Sequence, residues 1–147
     1  MLTSSLFSAL SAALPPGTPL YLGRQHLGEH DVPPRLVLVP TADTYGGAER
    51  AAVGPGRVLW TRQAGYDLIL WGRDIDEAEG MLGETLTALR HVASVPVQLQ
   101  GGSWSDETWL TLGLAYTLRL TVAAPILEAE RFATLQGIAQ ECGGFIA

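Results

Sequence analysis

The sequence predicts an α+β fold. One domain over residues 1–147 holds a mostly antiparallel, twisted sheet with a long bent strand, flanked by two helices. Three observations carry that expectation. Between residues 110 and 122 every even-numbered position is apolar, from Leu110, Leu112 and Leu114 through Tyr116, Leu118 and Leu120 to Val122. The odd positions read Thr111, Gly113, Ala115, Thr117, Arg119 and Thr121, so the run has the period of a strand with one core face. Asp74, with Glu77 three residues on, forms a capping box for a helix whose apolar stripe is Ile75, Ala78, Leu82, Leu86, Leu89 and Ala93. Thirdly, the β-rich runs 57–62 and 66–71 flank Gln63-Ala64-Gly65, which reads as a hairpin with glycine in the turn.

The remaining elements follow in chain order. Leu2, Leu6, Leu10 and Leu14 share one side of a first helix over about residues 3–14, and Pro15-Pro16-Gly17 stops it. Serines at 4, 5, 8 and 11, with no basic start, make this segment an amphipathic helix rather than an export signal. Leu20-Tyr21-Leu22 is a short strand, residues 23–34 a polar loop, and 35–39 a compact β run closed by Pro40. Residues 41–55 have neither period nor bulk and read as a long loop. After the second helix, residues 95–99 form a short strand, and Gly101-Gly102-Ser103-Trp104-Ser105-Asp106 turns the chain into the long strand. Within residues 130–147, weak alternation at Phe132, Thr134, Gln136 and Ile138 favours a C-terminal strand.

The long strand sets the functional question. Extended, residues 110–122 span about 40 Å, whereas a compact domain of 147 residues has a radius of gyration of only about 15 Å. Either Gly113 bends the strand at the edge of the sheet, or its end projects onto something else. A small protein that extends a strand past its own core is usually an assembler. The charge balance excludes another class. The net charge is −6, and all nine basic residues are arginines scattered singly, with no stripe to hold a phosphate backbone. Cys142 is the single cysteine and leaves no internal disulfide to form. No apolar run approaches the roughly 20 residues of a membrane span.

No catalytic constellation stands out. His26 and His30 stand four apart beside Glu29 and Asp31, but Leu27 holds the place where a zinc-protease motif needs glutamate. Gly28, Pro33 and Pro34 oppose a helix there, so the segment reads as a solvated loop without metal. Asp74, Asp76 and Glu77 read as a helix start, not a calcium loop. The glycines at 46–47 and 54–56 lack the lysine of a phosphate loop. No catalytic residue, cofactor or metal ligand is assigned. The tryptophans are better clues: Trp104, inside a glycine-rich turn, is hard to bury locally, and tryptophan is enriched at interface hot spots. The candidate interface residues are Trp104, Trp109, Leu112 and Leu114 around the start of the long strand, with Tyr45 in the loop at 41–55.

From about residue 57 to residue 125 the succession of elements resembles a known family. Tyr66-Asp-Leu-Ile-Leu-Trp-Gly72 is followed by an acidic helix start at residues 74–79 and a helix ending Ala88-Leu-Arg-His91. A Gly-Gly-Ser-Trp turn then leads to Gly113-Leu-Ala-Tyr-Thr-Leu-Arg-Leu-Thr-Val122 and a proline. This order resembles the tail-terminator (tail-completion) proteins of tailed bacteriophages, over roughly half the chain. The resemblance implies a non-enzymatic virion protein at the neck, on top of the tail, assembled in the host cytoplasm. It implies a homo-oligomer, a hexameric ring that caps the tail tube, ends its polymerisation and joins it to the head-completion or connector protein. DNA would pass through the lumen without specific binding, and the acidic balance suits such a conduit. Another head-tail joining protein is the nearest alternative. A small metal-dependent hydrolase using His26 and His30 is the alternative from a different class.

Overall fold

In chain order the elements are helix α1 (Leu2–Ala13), strand β1 (Leu20–Leu22), a 3-10 turn (Arg24–His26), β2 (Arg35–Gly46), β3 (Val58–Gly72), α2 (Ile75–Arg90), β4 (Val97–Ser105) and β5 (Leu114–Leu127). They come from a computed structural model that describes residues 2–47, 58–92, 96–105 and 112–127. The strands form one open five-stranded sheet in the order β1-β2-β3-β5-β4. β1 runs parallel to β2, and the other three pairings are antiparallel. The protein is a single α+β domain, as the sequence predicts.

The alternation of the strands divides residues between two sheet faces. Leu36 and Leu38 of β2, Ala64, Tyr66, Leu68 and Leu70 of β3, and Leu118, Leu120 and Val122 of β5 point to one face. Both helices lie on that face. Leu6, Leu10 and Leu14 come from α1 and its end, and Ala88 and Val92 from α2 and just beyond it. Thr3 Oγ1 and the Tyr66 hydroxyl, 2.8 Å apart, tie α1 to the sheet. Among the described residues, the opposite face is covered over part of its length only. There Val37, Val39, Ile69, Trp71 and Ala115 are buried beneath Leu27, with Tyr21 packed alongside. This cover is the strap of chain between β1 and β2. Arg35 fastens it, donating to the carbonyls of Val32 (3.0 Å) and His26 (2.9 Å) and lying 4.6 Å over the Tyr21 ring.

Helix α2 starts as its sequence dictates. The Asp74 carboxylate accepts the Glu77 N–H at 2.8 Å. Glu77 turns back one residue further than a simple capping box, accepting the N–H of Arg73 at 2.9 Å.

Four expectations are corrected. The hairpin expected over 57–71 is not formed: β3 runs as one strand from Val58 to Gly72, 15 residues, and residue 57 lies outside the described residues. Gly65 serves close approach rather than a turn. The β2–β3 ladder shifts register between Pro40 and Asp43, and the bulged backbone passes so near that a Cβ on Gly65 would stand 2.7 Å from the Ala42 carbonyl oxygen. Secondly, the loop expected over 41–55 is strand through Gly46, because β3 beside it supplies ladder partners from Ala64 to Thr61. Its residues 48–55 lie outside the described residues. Thirdly, Gly101 to Ser105 is not a turn but the second half of β4, paired with β5 from Arg119 to Ala115 across an irregularity at Leu99/Gly101. The long strand also differs in its bounds: it runs from Leu114 to Leu127, and Leu112 and Gly113, expected within it, form a bend, because Gly113 has a φ of +72° and any Cβ there would collide with the Gly72 carbonyl. The expected C-terminal strand at 130–147 lies outside the described residues.

Candidate assembly surface

Strands β2, β3 and β5 run on after the helices stop. The helix-covered core ends at the level of Ala64 and Val122, which are register partners. Beyond it, residues 43–46 of β2 pair with 61–64 of β3, and β3 pairs with β5 as far as Val58 and Leu127. The result is a three-stranded arm. Its ladder holds apart from an irregularity between Val58 and Trp60, and no described helix or strap is part of a core cluster with it.

The register places the arm's aromatic residues. Because the bulge after Pro40 shifts β2 by one residue, Tyr45 comes opposite Arg62 and so lies on the helix-side face, as does Trp60 two residues from Arg62 along β3. Tyr45 is 59% and Trp60 48% exposed. Asp43 lies beside them and accepts from Arg62 Nε at 3.1 Å and Nη2 at 3.0 Å, which leaves the patch locally neutral.

The opposite end of the sheet, its base, carries a second apolar group. Trp104, near the end of β4, pairs across the ladder with Tyr116, the two rings meeting edge to face at 5.3 Å. It remains 46% exposed. Leu112 is 54% exposed, while its carbonyl accepts Trp71 Nε1 at 2.6 Å, so its backbone is fixed and its side chain is free at the surface. Leu114 opposite Gly72 is half-buried. Ile75, at the start of α2, is also exposed. Leu99 is exposed on the helix-side face of β4 between the two ends, opposite Leu120.

Of the residues singled out from the sequence, Trp104, Leu112 and Leu114 thus come together at the base, whereas Tyr45 stands at the far tip. Eight residues of β3 separate the levels of Arg62 and Leu70, about 26 Å of extended chain. Trp109 lies outside the described residues. Three exposed apolar residues at or near these surfaces are not singled out by the sequence: Trp60, Leu99 and Ile75, the last expected on the apolar stripe of α2. The usable signal for Trp60 was its place in a strand that also holds Thr61, Arg62 and Gln63, a polar run uncharacteristic of a covered segment.

The other chemistry-bearing groups are arranged as follows. His26 stacks on Tyr21 at 4.8 Å between ring centroids, and His30 is exposed in the strap. Among the described residues no group of three or more His, Cys, Asp or Glu side chains is placed to hold a metal ion. The face opposite the helices has an open hollow of about 340 Å³ lined by Thr41, Gly65, Asp67, Gln100, Arg119 and Thr121. At the start of α2, Arg73 grips Glu77 through Nε (3.0 and 3.1 Å) and Nη2 (2.6 Å). That guanidinium bond first, and the Arg73 N–H second, hold the Glu77 carboxyl below its ordinary value of 4.5. Within the described residues no helix is long and apolar enough to cross a membrane.

No family model matches the chain, and no curated protein matches it.

Proposed function

We propose that this chain is a ring-forming structural protein of a tailed-phage virion, a tail terminator. Copies of it close around a channel, cap the tail tube, end its polymerisation and join it to the head-completion or connector protein. It acts by assembly rather than catalysis, uses no cofactor or metal, and sits at the neck after assembly in the host cytoplasm. DNA passes through the lumen without specific binding, in keeping with a net charge of −6.

One observation carries this reading beyond the resemblance in element order: the arm. A ribbon of three strands with Tyr45 and Trp60 exposed on one face gains little stability by itself, since small sheets need an apolar face packed against something. The apolar base, with Trp104 and Leu112, is a different surface at the other end of the same sheet. A contact between unlike surfaces of successive copies is heterologous, and it closes into a ring when the rotation permits.

Native mass spectrometry with negative-stain images of the same sample tests the proposal. A hexamer with a central hole is expected, and Trp60→Glu and Leu112→Asp should each reduce it to monomers that unfold at an unchanged temperature. A chain that stays monomeric at every concentration, or one that retains stoichiometric metal through purification, would overturn it.

A further inference from the structure

No further inference is drawn: the strongest candidate, the polar hollow framed by the β2 and β4 bulges on the sheet face opposite the helices, is an open depression in which Gln100 already donates to Thr121 and Asp67 is already engaged, so nothing in the structure specifies a ligand.

Discussion

Strand β3 passes through two environments, and the contrast between them separates what folds this protein from what it offers to others. From Ala64 to Trp71 nearly every side chain is buried: even-numbered residues lie under the helices, while Ile69 and Trp71 lie beneath the strap. From Trp60 to Gln63 the same strand keeps the same alternation and the same ladder partners, yet its side chains are exposed or half-buried. Both halves are paired on both sides, by β2 and by β5, but only one is buried. Hydrophobic burial supplies most of the driving force for folding, so the stability of the monomer resides in the covered half and the arm is held in place by it.

The sharpest way to break the comparison is to truncate one residue in each half. Leu68→Ala removes a fully buried side chain between the helices and the sheet, and should cost about 2–5 kcal/mol in urea unfolding. Trp60→Ala, a larger truncation by volume, should cost the monomer no more than about 1 kcal/mol because half of the ring already faces water. Equal losses would mean that the arm folds as part of the core. A smaller effect is expected at the boundary between the halves. Gly65→Ala places a methyl group 2.7 Å from the Ala42 carbonyl oxygen, so the bulged backbone must shift, and should cost about 1–3 kcal/mol. Hydrogen exchange should then report faster opening of the β2–β3 ladder beyond the bulge than before it.

Two further changes act at the helix that defines the covered half. Asp74→Ala deletes the N-cap acceptor of Glu77 N–H and should lower stability by about 1 kcal/mol, seen as a shift of the urea midpoint at unchanged slope. The smallest effect is the pH dependence of Glu77. Its carboxyl titrates below 4.5 in the folded protein, so the unfolded chain binds the proton more readily, and the Arg73–Glu77 pair stabilises the fold above that pH. The contribution is lost as pH falls through the depressed folded value. Glu77→Gln should therefore differ from the parent at neutral pH and converge with it in acid. The gap should narrow in high salt, because Arg73 is largely exposed.

Several parts of the fold were legible because their causes are local. The Asp74 cap, the stripe of α2 from Ala78 to Leu89, the stop at Pro15-Pro16-Gly17 and the core face of β5 each follow from residues a few positions apart, whereas Ile75, expected on that stripe, is exposed. The buried odd positions Ala115 and Thr117 were less legible. Alternation announces one core face; among the described residues a second comes with the strap, whose Leu27 clusters with Ala115. Of the residues singled out from the sequence, Tyr45, Trp104 and Leu112 are exposed, but their separation between tip and base depends on ladder register, which no single segment encodes.

The sequence by itself determined the α+β class, both helices with the cap that starts α2, and the face of β5 that enters the main core. Periodicity and capping are properties of neighbouring residues. Only the tertiary structure decided that Gly65 lies in mid-strand, that residues 41–46 are strand rather than loop, and that the sheet outruns its helices to leave an aromatic arm. The physical reason is common to all three. Glycine is as suitable for a turn as for a close backbone approach, and a polar segment becomes a strand when a distant one supplies its hydrogen-bond partners. Exposure, likewise, depends on where another element ends.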